Sequence, residues 1–193
     1  MHLLKKTMFI LASSFSVIAM TGCQSLAPKT NPVVQAPEQA NQFNLQGKIG
    51  VKTPEQSGSA FFVWQQQQEQ FDIELSGILG IGKTQITGQP GQVVLNSAKT
   101  GQISAATPEE LLQRATGWQA PITHLVHWVQ AKPATTDAQL QNDAQKRISQ
   151  INEDGWTVNL SYNDAATLPN RLILVQALES GKENRITMVI QNR

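Results

Sequence analysis

Cysteine is nearly missing from this chain: Cys23 is the one example in 193 residues. No second thiol exists to pair with it, so the fold uses no internal disulfide. Charge is sparse too, at 15% of residues, with 15 basic and 14 acidic side chains and no block of one sign. Phosphate backbones require a concentrated basic face, so nucleic acid is excluded as a partner. Spanning a bilayer takes about 20 apolar residues, and the longest run, Met8–Met20, falls short. The G-x-S-x-G elbow of an esterase is also missing. No nucleophile, base and oxyanion site assemble anywhere, so the chain reads as not an enzyme, with no cofactor.

The lone cysteine is informative by its position. Lys5 and Lys6 make a positive leader, Met8–Met20 a short apolar segment, and Met20-Thr21-Gly22-Cys23 follows. This order is that of a secretory signal, and its last four residues resemble a bacterial lipobox. An ordinary signal peptide with a chance cysteine is the other reading. The lipobox implies that residues 1–22 are removed and that Cys23 becomes lipidated with three acyl chains, palmitate among them. Two such anchoring signals already hold a protein stably on a membrane. Gln24 follows the cysteine; by resemblance to Gram-negative lipoproteins, that residue favours the outer membrane, with the protein facing the periplasm. Without Lys5 and Lys6 the chain keeps 13 of its 15 basic residues against 14 acidic ones, and is nearly neutral.

Residues 23–42 carry Pro28, Pro32 and Pro37 and read as a lipidated tether. A flexible coil of that length reaches roughly 20–25 Å, which keeps the domain at residues 43–193 near the bilayer. From Phe43 the pattern is β. Phe43, Leu45, Ile49 and Val51 alternate with polar residues, as do Phe71, Ile73 and Leu75. Ser59–Gln65, Lys83–Gly88, Val93–Ala98 and Gln102–Ala105 add strands. Thr107-Pro108-Glu109-Glu110 then opens a helix that Gly117 closes. A second helix covers Ile122–Gln130, and strands return at Lys146–Ile151, Trp156–Tyr162, Arg171–Ala177 and Arg185–Gln191. Strands, then helices, then strands give an α+β fold with an antiparallel sheet. Phe61–Trp64 and Leu172–Val175 are apolar on both faces. A curved sheet covered by the helices accounts for this; a flat sheet packed on two helices is the alternative.

Gly77-Ile78-Leu79-Gly80-Ile81-Gly82-Lys83-Thr84 fits the phosphate-binding G-x-x-x-x-G-K-[ST] pattern. A phosphate site needs a helix starting at the lysine, whereas Thr84–Pro90 is β-rich. The match is therefore read as a decoy. Its apolar content is the unusual part: Ile78, Leu79 and Ile81 sit among glycines where a hairpin is normally polar. Either the loop folds back on the core or it forms an apolar tip for a lipid surface. His124 and His127 lack a third ligand and are assigned to an ordinary helix surface rather than to a metal. Asp72 and Glu74 fall on a polar strand face. Trp64, Trp118, Trp128 and Trp156 fall on or beside inward-facing elements. Core packing is one reading of them. The other is an acyl-chain cavity lined by Trp64, Phe62, Phe71, Ile73, Leu125, Trp128, Trp156 and Leu172.

Taken in order, Phe43–Ile49, Phe62–Gln66, Leu75–Gly80, the Thr107–Gly117 helix and the Pro121–Val129 helix resemble the outer-membrane lipoprotein receptor LolB family. The resemblance covers nearly all of the chain after the tether. It implies an incomplete, half-closed antiparallel β-barrel of about eleven strands with a helical lid over an apolar cavity. It also implies a monomer that accepts triacylated lipoproteins from a LolA-type periplasmic carrier and inserts them into the inner leaflet of the outer membrane. In that family an exposed leucine in a strand-connecting loop promotes contact with membrane lipid, and the motif places it at Leu79. Ile78 stands where proline is common, and the segment before Phe43 is rich in proline where the family has a long first helix. The alternative from another class is an anchored scaffold that binds a protein partner and has no acyl cavity.

Overall fold

A computed structural model describes residues 41–77 and 83–193. Cys23, the tether up to residue 40, and Ile78, Leu79 and Ile81 lie outside the described residues, while Gln42, expected to end the tether, already opens the first strand. The first six strands are β1 (Gln42–Lys52), β2 (Ser57–Gln67), β3 (Gln70–Ser76), β4 (Thr84–Gln89), β5 (Gln92–Ser97) and β6 (Gly101–Ala105). Helices α1 (Pro108–Thr116) and α2 (Ile122–Trp128) follow. The remaining strands are β7 (Gln139–Asn142), β8 (Ile148–Glu153), β9 (Trp156–Ser161), β10 (Arg171–Ala177) and β11 (Glu183–Asn192).

All eleven strands form one antiparallel sheet in the order β6-β5-β4-β3-β2-β1-β11-β10-β9-β8-β7. The chain thus starts in the middle of the sheet at β1 and walks outward to one edge at β6. It crosses by way of α1 and α2 to the other edge at β7, and walks back until β11 lies against β1. The barrel does not close: β6 and β7 are edges, and the two helices are the connection between them. This is the open, incomplete antiparallel barrel expected from the sequence.

Local sequence explains most boundaries. The Thr107 side chain accepts a hydrogen bond from the Glu110 amide at 3.1 Å, Pro108 occupies the first turn, and Gly117 turns left-handed at φ 74° to end α1. Asp154 and Gly155 take φ values of 48° and 74°, the geometry of a tight hairpin between β8 and β9. Most strand ends shift by one or two residues from the sequence reading, and three differences have a visible local cause. Helix α2 stops at Trp128 instead of Gln130, because the backbone turns left-handed at Ala131 and the Lys132 amide donates back to the His127 carbonyl. Strand β8 starts at Ile148 instead of Lys146, which sits at φ 63° in a turn where the Asp143 carboxylate accepts from the Gln145 and Arg147 amides. Strand β7 was not expected at all; Gln139-Leu140-Gln141-Asn142 is exposed throughout and has no inward face to leave an alternating pattern.

At Gly47 the sheet is unusually close-fitting. The β1–β11 register shifts between Gln46 and Gly47, and a Cβ on Gly47 would sit 2.0 Å from the Val189 carbonyl oxygen. A Gly47→Ala variant is expected to lose about 1–3 kcal/mol, the usual cost of forcing one methyl into a packed site. Urea unfolding checks this; an unchanged midpoint would contradict the close approach.

Candidate binding site on the covered face

Strand register sorts the inward side chains into rows. One row crosses β1 to β6 as Leu45, Trp64, Ile73, Ile86, Leu95 and Ile103. On the other half, Ile49, Met188, Leu172 and Leu160 align across β1, β11, β10 and β9. A parallel row there is Ile186, Leu174, Val158 and Ile151. The two β9–β11 rows, the Leu45–Trp64–Ile73 part of the first row and α2 meet in a single core cluster. Burial is uneven across the rows. Ile151, Val158, Leu172 and Leu174 are at most 1% exposed, whereas Ile73, Ile86, Leu95 and Ile103 are only half-buried. Helix α2 therefore covers the β8–β11 half, while α1 packs along β5 and β6 and leaves the apolar row on β3–β6 half-buried.

All eight residues expected to line an apolar cavity belong to this one cluster. Phe62, Trp64, Leu125, Trp128, Trp156 and Leu172 are buried within it, and Phe71 and Ile73 pack against it half-exposed. The Phe71 ring lies over Gly88, where a Cβ would come within 2.2 Å of it. Sequence reasoning missed Ile86, Leu95 and Ile103. Their short strands are separated by turns, and only the register shows that they continue the Trp64 row.

Polar contacts fasten α2. The Trp128 indole, fully buried, donates to the Glu153 carboxylate at the end of β8. The same carboxylate accepts from the Thr135 amide and hydroxyl, each at 2.8 Å, and from the Ala134 amide at 3.1 Å. Burial alone would raise the Glu153 pKa, but these donors outweigh it and hold the carboxyl below its usual range. The Val129 carbonyl accepts from Arg193 at 2.8 Å, and the Gln130 amide donates to Asn41 at 3.2 Å. His124 packs edge-on against Trp128, with ring centroids 5.5 Å apart and Nδ1 3.3 Å from an Asp154 carboxylate oxygen. Burial, then the charge of His124, depresses the pKa of His127. Both rings are half-buried, not on an open helix surface. Among the described residues no group of three or more His, Cys, Asp or Glu side chains gathers to hold a metal.

The remaining sequence candidates place as follows. Lys83 pairs with Glu74, and the next residue opens strand β4 instead of a helix, so no helix N-terminus faces a phosphate there. Gln66, within the run Gln65–Gln68, points inward and accepts the Trp64 indole N–H at 2.9 Å. Among the described residues no helix is long and apolar enough to cross a membrane.

Residues 41–192 match the model of the family described as outer membrane lipoprotein LolB. The chain belongs to the LolB family. It is 40% identical over 154 residues to the outer-membrane lipoprotein LolB of Pseudomonas putida strain W619, covering 78% of this chain and 73% of that one. Against the Pseudomonas syringae pv. syringae LolB the identity is 37% over 194 residues, covering 92% of each. A LolA superfamily protein of Nitrosomonas europaea superposes with a TM-score of 0.45 at 12% identity, over 79% of this chain and 88% of that one. For a LolB-family chain, the covered apolar face and the helix fastened over it are the features that bear on function.

Glu153 gives a pH test. Its folded pKa lies below the ordinary 4.5, so its stabilisation is complete above pH 4.5 and is lost as the pH falls through the folded value. Glu153→Gln is expected to lower stability at pH 7 by about 1.5–3 kcal/mol, the range for hydrogen bonds to a charged group. The gap between wild type and variant should close as the pH falls below 4.5. Denaturant unfolding at several pH values reads this; a gap that stays constant into acid would refute the role given to the carboxylate.

Proposed function

We propose that this LolB-family chain is a receptor for triacylated lipoproteins. It takes them from a LolA-type periplasmic carrier and inserts them into the inner leaflet of the outer membrane, with Cys23 as its own lipid anchor. The observation that carries this reading is the uneven cover of the apolar face: α2 is seated on the β8–β11 core, while Ile73, Ile86, Leu95 and Ile103 on β3–β6, where α1 packs along β5 and β6, stay half-buried.

Magnitudes support it. Lifting α2 re-exposes Leu125, Trp128 and the adjoining Val129; at about 1.5–3 kcal/mol for each buried side chain, that costs roughly 5–9 kcal/mol. A single acyl chain of about fifteen methylenes, buried at about 0.8 kcal/mol each, returns about 12 kcal/mol. Exchange of the helix for an acyl chain is thus of the right magnitude without nucleotide, provided this face holds the chain more tightly than the carrier does. The acyl chains enter along the half-buried row and take over the contacts of α2. Release needs only an acceptor that binds more tightly still, which the bilayer provides. Leu79, helped by Ile78 and Ile81, meets the bilayer at that step. The receptor acts as a monomer.

Two outcomes test this. Protein extracted from membranes should begin at a triacylated Cys23 by mass spectrometry, and an intact residue 1–22 segment would contradict the anchor. A Leu79→Glu variant should accept carrier-bound lipoprotein as wild type does but insert it into vesicles about tenfold more slowly, because a carboxylate resists entry into lipid. Insertion at the wild-type rate would remove Leu79 from the mechanism.

A further inference from the structure

The outer face of the sheet carries a feature that the covered face does not explain. Register places Ser76, Phe61, Lys48, Val189 and Arg171 in one row across β3, β2, β1, β11 and β10, roughly 19 Å at ordinary strand spacing. Phe61 is 57% exposed, and the Lys48 ammonium stands 5.9 Å from its ring centroid. Toward the end of the same strands, Lys52 pairs in register with Arg185. There a shallow hollow of about 650 Å³ is lined by Gly50, Lys52, Ser57, Ser59, Arg185 and Thr187, and Gly77 stands at its rim.

Charge is segregated on this face. Lys48, Lys52 and Arg171 have no carboxylate within ion-pair distance among the described residues, and Arg185 has Glu183 at 2.9 Å. That pair is exposed on both sides, so a phosphate can compete for the arginine. On the same face β3 carries Asp72 and Glu74, which are engaged by Gln85 and Lys83, and outward positions of β4–β6 carry amides and hydroxyls such as Gln85, Thr87, Asn96 and Ser104. A nearly neutral protein has thus gathered its unpaired strand cations around one exposed aromatic ring. Cations with hydroxyls fit phosphate oxygens, and an aromatic ring beside them fits the boundary between headgroup and acyl chain.

We infer that this outer face is a docking surface for an anionic phospholipid bilayer. Lys48, Lys52, Arg171 and Arg185 engage headgroup phosphates while Phe61 enters the interface. The inference rests on the reading that this chain delivers its cargo at a bilayer, and it is continuous with Gly77, from which the proposed insertion loop departs. It fixes an orientation: the sheet lies with its outer face on the lipid.

The test uses the full lipidated chain anchored in phosphatidylethanolamine–phosphatidylglycerol vesicles with brominated acyl chains. Because Cys23 carries the lipid, a second cysteine takes a fluorescent label uniquely. Ser59→Cys reports the proposed face, and Ser104→Cys reports the outer face of β6. The label at position 59 should be quenched by bromolipid and shielded from aqueous iodide, and the label at 104 should not. Each basic residue near an anionic surface strengthens attachment by roughly fivefold, so Lys48→Glu with Arg171→Glu should cut the docked population by at least about tenfold. Equal iodide access at both positions would overturn the inference. So would shielding that survives charge reversal, or shielding in detergent, where only a second copy of the chain is available to cover the face. Cargo transfer in the same vesicles separates the two readings. An open position 59 with normal transfer refutes the docking face alone; a shielded position 59 with no cargo accepted refutes the receptor.

Discussion

The bond between the Trp128 indole and the Glu153 carboxylate sits where everything else in the fold converges. An eleven-stranded sheet that fails to close has an apolar face too large to leave in water, and a single crossover must cover it. The crossover runs from edge strand to edge strand, and its helices pack on the sheet: α1 on β5 and β6, α2 on the β8–β11 core. What topology cannot do is hold a seven-residue helix in place. Glu153 does so with one carboxylate that receives Trp128 and the Ala134–Thr135 backbone together, tying the end of β8 to the helix and to the loop after it.

A fastening of this kind differs from packing in one respect. Apolar contacts under α2 are non-directional, and in the proposed mechanism an acyl chain replaces them methylene for methylene. The Glu153 cluster is directional and leaves buried donors unsatisfied if broken. It defines where α2 sits on the sheet, and under the proposed mechanism the half-buried row on β3–β6 is where a ligand begins to enter.

Much of this was legible in the sequence, for physical reasons. The Thr107-Pro108 start and Gly117 stop of α1, the Asp154-Gly155 hairpin and the alternating strands are local signals, and the structure keeps them. Strand β7 left no signal because an edge strand with no buried side has no period. Glu153 fell outside the strand read as ending at Ile151, although it stands two positions further on and faces inward as Ile151 does. That alternation was available and needed only to be followed one step further. The row from Trp64 through Ile86 to Ile103 was not available, since register between short strands depends on pairings that no local window contains. Its partial burial was hidden with it.

The central claim is that α2 leaves the covered face when acyl chains enter. Spin labels at Lys132→Cys, just after the helix, and Ser161→Cys, on the sheet, allow that distance to be measured by pulsed electron resonance with and without a triacylated lipopeptide. The account predicts that loading moves the distribution to longer, broader distances. An unchanged distribution with lipopeptide demonstrably bound would contradict it, and would place the acyl chains somewhere other than beneath the helix.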